Sequence, residues 1–298
     1  MKQKASFGSY SFSFINSTVF ILFALLCIFP LYYIFVLTVS DNKWVASGAL
    51  VVFPKGFNVQ NYVHVLKLDG IGMALWVTIL KTVVGTACTL AGSSFLAFLF
   101  TKPHMLMRKF LYRFVLVTMY FNAGLIPWFI NIKNLHLMNT FAVYIIPYIV
   151  APFYIILIKT FLESIPSALE ESAQIDGAGI FRVFWSILVP LSKPILATVA
   201  VFESVNQWNN LRDNLFLITD SRLNTLQFVL YKFMSEADAL ASKIMVNGGA
   251  GLSATNFTLT PTAVSMTIAM VVILPIVCIY PIMQRYFTKG IMLGAVKG

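Results

Sequence analysis

A chain of 298 residues that is 59% hydrophobic and only 11% charged, with a mean hydropathy of +0.83, is not an ordinary soluble domain, in which about a quarter of the residues carry charge. Its formal net charge of +10 would suggest nucleic acid in a soluble protein, but in so apolar a chain it points to basic loops beside a bilayer. Cys27, Cys88 and Cys278 stand far apart in apolar segments, which excludes a disulfide framework and any Cys-based metal spacing.

Residues 1–16 are polar and hold Lys2 and Lys4, as expected of a cytoplasmic start. Residues 18–39 are the first apolar run, close to the ~20 residues a spanning helix needs. The run is too long for a signal peptide and lacks a small-residue cleavage site, so it is expected to be retained. Residues 40–70 read as a mixed loop with Trp44, Pro54, Gly56 and Tyr62. Residues 71–100 are the second crossing, with Lys81 inside it, and a short basic turn follows at 101–109. Residues 110–130 are the third, containing Tyr120-Phe121-Asn122-Ala123-Gly124 and Pro127. After a polar turn at 131–139, residues 140–161 form the fourth, interrupted by Pro147 and Pro152. A polar stretch at 162–193 leads to the fifth, residues 195–218, which is unusually polar in its second half. A long loop at 219–260 carries Gly248-Gly249-Ala250-Gly251, then come the sixth crossing at 261–287 and a tail at 288–298.

The expected fold is all-α and polytopic, with residues 1–298 as one transmembrane domain of six helices. Six crossings put both termini on one side. Lys and Arg number twelve in the segments grouped with the termini and eight in the longer loops opposite. The positive-inside rule therefore places both termini and the 162–193 loop in the cytoplasm, and the 219–260 loop outside. No internal repeat is visible, which argues against inverted-repeat secondary transporters.

Within 162–193, Ser167 and Glu170 have capping-box spacing behind Pro166. Glu170 and Glu171 fall in a first helical turn, where carboxylates favour the positive end. Gly177 suits the left-handed residue that ends a helix. A second helical run at 180–188 would place Ile180, Phe184, Ile187 and Leu188 on one face. The pattern is Glu171-Ser172-Ala173, three residues, Gly177, nine residues, then Ile187, Leu188, Val189 and Pro190. It resembles the EAA loop of permease subunits in binding-protein-dependent ABC importers, with Ser172 in place of an alanine and Val189 in place of a leucine. The run from Ala173 to Ala178 is similar to the carbohydrate branch, the MalG type. The Tyr120–Trp128 region and the tail from Tyr286 look like a subgroup for complex oligosaccharides, although Ala123-Gly124 stands where two glycines are usual.

The resemblance implies a MetI/MalG-like permease fold whose loop docks on an ATP-hydrolysing subunit through Glu170, Glu171, Ser172, Ala173, Asp176 and Gly177. It implies a second, MalF-like permease, two ATPase subunits that bind ATP and magnesium, and an external solute-binding protein facing the 219–260 loop. The other reading of the stretch is a capped interfacial helix whose acids only satisfy its amino end.

No G-x-x-x-x-G-K-[ST] run is present, so no nucleotide or other cofactor is expected in this chain. His64, His104 and His136 are isolated, and no catalytic or metal-ligating spacing stands out. Lys81 and Glu203 are ionisable residues at membrane depth, where such groups face a protein interior or a wet cavity. Glu203, Asn206, Gln207, Asn210 and Asn214 recur at helical spacing, with Trp208 off that stripe. One reading makes Glu203, Asn206, Gln207, Trp208 and Asn210 a path for sugar hydroxyls. The other makes the stripe a polar seam between helices. Lys81 either neutralises Glu203 or snorkels outward. Tyr120, Phe121, Trp128 and Trp76 are candidates to stack on pyranose rings. The expected function is import of an oligosaccharide across the bacterial cytoplasmic membrane. The alternatives are an ABC permease for a peptide or amino acid, an ion-coupled transporter using Glu203 and Lys81, and a membrane scaffold.

Overall fold

The computed structural model describes residues 7–46, 52–246 and 261–290, all helix, turn or irregular chain, with no strand among them. The chain divides into two compact units, residues 1–68 with 230–273 and residues 69–229 with 274–298.

In the first unit, α1 (Phe7–Thr38) runs on through Pro30. Its side chains from 12 to 31 are exposed, as an apolar helix must be when its natural solvent is lipid. Only its end is packed: Val36 and Leu37 form a small core with Val45 and Ala263. Two short helices, α2 (Asn42–Ala46) and α3 (Gln60–Lys67), occupy the segment expected as a loop. Buried Asn61 of α3 donates from Nδ2 to the Thr38 carbonyl at 3.2 Å, which satisfies the end of α1.

The second unit is built on α4 (Ile71–Thr101), an unbroken 31-residue helix. Small residues give it close neighbours. A Cβ at Gly92 would lie 2.6 Å from the Ile149 carbonyl oxygen, and one at Gly85 would lie 3.0 Å from the Gln207 amide. α5 (Arg108–Tyr120) and α6 (Leu125–Asn134) are separated by four non-helical residues, 121–124, with Gly124 at φ +86°, so the expected third crossing is broken at Ala123-Gly124. The fourth is also broken. Two 3₁₀ turns, Phe141–Tyr144 and Ile146–Tyr148, bend by 46° into α7 (Pro152–Leu162), because Pro147 and Pro152 cannot continue an α-helix. α8 (Ala168–Ile175), α9 (Ile180–Val183), a π turn at Phe184–Leu188 and α10 (Val189–Leu191) form the 162–193 segment. They turn by 81° into α11 (Lys193–Asn209), and α12 (Arg212–Leu217) follows after a break at Asn210. The segment expected as a long outer loop holds a 21-residue helix, α13 (Leu226–Val246); its glycine cluster lies outside the described residues. α14 (Pro261–Gly290) is continuous through Pro275 and Pro281.

By length and hydropathy, two described helices suffice to cross a membrane, Phe12–Thr38 and Ile71–Thr101, or up to four spans if each bent pair is one. The six-helix count therefore exceeds what these helices show singly. Prolines and polar residues divide the expected third, fourth and fifth crossings into pieces shorter than a bilayer is thick, while of α14 only Ala263–Ile279 enters this count.

Candidate functional site

The 162–193 segment is a helix, a bend and a second helix. Its start differs from the expected capping box. Ser167 is in the right-handed helical region and its side chain makes no cap bond; its carbonyl instead accepts from the backbone N–H of Glu170 at 2.9 Å and of Glu171 at 3.0 Å. The Glu170 carboxylate turns away to pair with Lys102, just past the end of α4. The Lys102 ammonium also sits 4.3 Å over the Phe98 ring.

The bend is a Schellman motif. Gly177 has φ +81°, its N–H donates to the Gln174 carbonyl at 3.0 Å, and the Ala178 N–H donates to the Ala173 carbonyl at 2.9 Å. A left-handed residue is required at this point and glycine adopts it without strain. Ala173 is buried in a core with Phe98 of α4, Val183 and Phe184. Phe184 packs against Phe98, with ring centroids 5.1 Å apart, and edge-on to Phe95 at 5.5 Å. The π turn adds a residue to the helical repeat. Of the face expected, Phe184 and Leu188 are buried and Ile187 is half-buried, joined by buried Val183, while Ile180, ahead of the π turn, is exposed. Glu171, Ser172, Asp176 and Gly177 are exposed, and Ile175 is 87% exposed. The loop thus anchors one face on α4 and presents apolar and acidic groups outward on the other.

The second cluster lies where α11 breaks. Glu203 is buried; it accepts from Gln207 Nε2 at 2.7 Å and from Thr89 Oγ1 of α4 at 3.4 Å. Asn206 on the same helix is exposed, with Nδ2 3.4 Å from Glu203 Oε2. Gln207 is buried against Gly85, and Trp208 is buried, as its place off the stripe allows. Asn210 is half-buried and turns into the break. Its Nδ2 donates to Asp213 Oδ2 at 2.8 Å and to Tyr148 Oη at 3.3 Å, while its carbonyl accepts from Lys81 Nζ at 3.0 Å. Lys81 is fully buried, 4.7 Å over the Tyr144 ring. Its hydrogen-bond partner is therefore the broken backbone, and no carboxylate lies within ion-pair distance of it among the described residues. Asn214 is buried and receives the N–H of Thr225 at 2.6 Å, which ties α12 to the chain that follows.

Sequence reasoning does not single out Asp213 and Arg212. Asp213 is fully buried and accepts from Tyr148 Oη at 2.8 Å. Arg212 stacks on Trp128, with Cζ 4.5 Å from the ring centroid, and donates from Nη2 to Tyr148 Oη at 3.3 Å. The signal available was two adjacent charges near the end of an apolar segment, which usually marks only a helix end. Tyr120 and Phe121 are more than 80% exposed, and Trp76 is also exposed.

No protein-family model matches the chain. It is 34% identical over 271 residues to Protein LplC of Bacillus subtilis (strain 168), across 91% of this chain and 90% of that protein. It is 31% identical over 278 residues to the polygalacturonan/rhamnogalacturonan transport system permease protein YtcP of the same organism, across 93% and 95%. A chain from the crystal structure of a bacterial ABC transporter involved in the import of the acidic polysaccharide alginate superposes with a TM-score of 0.84 at 28% identity, covering 96% of this chain and all of that one. With an EAA-type loop built as a glycine-bent helix pair and relatives matched almost end to end, the chain belongs to the MalG-type permease subunits of carbohydrate ABC importers.

Proposed function

We propose that this chain is one of two permease halves that carry an oligosaccharide inward across the cytoplasmic membrane, driven by ATP hydrolysis in two separate subunits. The observation that carries this is the outward face of α8 and α9. Ile175, Ile180 and Phe181 are exposed beside Glu171 and Asp176, on a bend anchored to α4 through Ala173 and Phe184. Exposed apolar side chains rimmed by charge mark a protein-binding surface. Glu170, Glu171, Ser172, Ala173, Asp176 and Gly177 shape that surface, which faces an ATPase holding the ATP and magnesium. An external binding protein delivers the sugar to the side of the 219–260 segment.

The six crossings follow if each bent pair is one span and the broken third segment and α14 supply the other two, with both termini cytoplasmic. Polar backbone at membrane depth is tolerated where it is buried in protein or lines water, and the break at Asn210 satisfies that condition. The relatives named as permeases of polygalacturonan, arabinooligosaccharide and melibiose/raffinose/stachyose systems favour a sugar over a peptide or amino acid, and the likeness to a chain of a bacterial ABC transporter favours ATP over an ion gradient. Purifying the assembled complex in lipid discs and measuring ATPase stimulation by a saccharide-loaded binding protein tests the reading. Uptake that survives without any ATPase subunit would overturn it.

A further inference from the structure

Arg212 is the one charged group of the cluster at the α11 break that reaches solvent: its side chain is 51% exposed, whereas Lys81, Asp213 and Glu203 are buried. The cluster therefore shows a positive face. The guanidinium is held in place before any ligand arrives. The Trp128 ring lies beneath it, Tyr148 Oη takes one Nη2 hydrogen, and Asp213 Oδ1 lies 3.9 Å from Nε. Trp128 itself is braced against the core of Val77, Ile132, Val143 and Tyr144. Nη1 makes no hydrogen bond among the described residues, so one edge of the fork is free. A guanidinium fixed flat on an indole, with a free edge, matches a carboxylate and loses little side-chain freedom on binding it. A neutral hydroxyl gains less from the same donors. The buried Asp213 anchors the arginine and cannot itself meet a ligand.

On the reading that the chain imports an oligosaccharide, we infer that Arg212 on Trp128 forms a subsite for the carboxylate of an acidic sugar, so the substrate is a uronate-containing oligosaccharide. Exposed Tyr120 ends α5 and exposed Phe121 opens the break that precedes α6, the helix that carries Trp128.

The test is uptake into cells expressing the full transport system, with radiolabelled tetragalacturonate and a neutral tetrasaccharide as probes, for wild type, Arg212→Gln and Arg212→Lys. Loss of one charge-assisted pair corresponds to about a tenfold effect. Arg212→Gln is expected to lower the ratio of tetragalacturonate uptake to neutral uptake about that much. Arg212→Lys should recover part of the loss, since it restores charge without the flat fork. Equal loss for both probes, or uptake of the neutral probe alone, overturns the acidic-sugar assignment while import stands. Loss of the partner permease on purifying the Arg212→Gln complex makes the arginine an interface residue and also overturns it. Uptake of no saccharide at all defeats the import reading itself.

Discussion

Lys81 Nζ, on the buried face of α4, donates to the backbone carbonyl of Asn210, 129 residues later and 3.0 Å away. The carbonyl is free because α11 ends there: Asn210 has φ −71° and ψ 105°. A cation at a helix carboxyl end complements the helix dipole. The ammonium thus holds the break open and balances the buried Asp213 beyond it.

Removing the ammonium orphans that carbonyl at membrane depth. Lys81→Met is expected to destabilise the assembled complex by roughly 1.5–3 kcal/mol, the worth of a hydrogen bond involving a charged group. Thermal unfolding of the purified complex would show it. An unchanged melting temperature would mean that the break is held by Asp213, Tyr148 and Asn210 without help.

Gly177 has open space around a Cβ but a φ of +81°, so the cost of a side chain there is conformational. Gly177→Val is expected to cost about 1–3 kcal/mol locally and to uncouple ATP hydrolysis from uptake while the permease still inserts. Gly177→Asn should keep much of the coupling, because asparagine tolerates the left-handed region. Normal ATPase co-purification and transport by the valine variant would detach the bend from coupling.

Gly177 was legible because a helix stop leaves a local mark. The loop pattern marked Ala173 as a coupling residue but not as the buried one, since burial depends on Phe98, Val183 and Phe184 meeting around it. The capping box failed because Glu170 found a stronger partner, Lys102, 68 residues away. The broken crossings were half-legible: Pro147 and Pro152 announce one, whereas the break at Asn210 shows only as a polar run. Asp213 and Arg212 were invisible as a pair with Tyr148 and Trp128, since nothing in local spacing reports contacts across 60 or more residues. The inward face of 180–188 was legible in Phe184, Ile187 and Leu188, whereas Ile180 at the amino end of α9 stays exposed.

The Lys102–Glu170 pair joins the end of α4 to α8, with both side chains mostly buried at 16% and 21% exposure. A double-mutant cycle with Lys102→Met and Glu170→Gln is expected to give a coupling energy of about 0.5–1 kcal/mol, near the top of the range for partly exposed pairs. Chemical denaturation of the complex measures it. A coupling of zero would leave this joint to its apolar packing, the contacts of Phe95, Phe98, Ala173 and Phe184.

Sidedness can be read directly. Cysteines at Asn131 and Ser172 in a background lacking Cys27, Cys88 and Cys278 should differ. The first is expected to react with an impermeant thiol reagent on intact cells, the second only after the membrane is opened. Both positions are exposed, so a failure to react reports the membrane and not burial. The reverse pattern would put the α8 bend on the side without ATP.

The polar stripe of α11 divides by burial. Glu203 and Gln207 face α4, where Glu203 accepts from Thr89 and from Gln207 Nε2, while the buried Gln207 Oε1 has no hydrogen-bond partner among the described residues. Asn206, one helical turn from Glu203, is exposed. A buried amide–carboxylate pair glues helices together, whereas an exposed amide offers a donor and an acceptor to passing hydroxyls. The two residues should therefore respond differently. Gln207→Leu is expected to lower complex stability by roughly 1–3 kcal/mol, because the buried Glu203 loses its nearest donor. Asn206→Ala is expected to shift stability by less than about 0.5 kcal/mol, as exposed positions do, yet to lower the rate of sugar uptake and leave part of the ATP hydrolysis uncoupled. Purified complexes in lipid discs allow both to be read side by side, by thermal unfolding and by sugar uptake per ATP. If Asn206→Ala instead releases the partner permease, the exposed edge of the stripe is an interface between permeases. If it assembles and transports at the normal rate, the sugar passes along other helices, and the stripe serves only to hold α11 against α4.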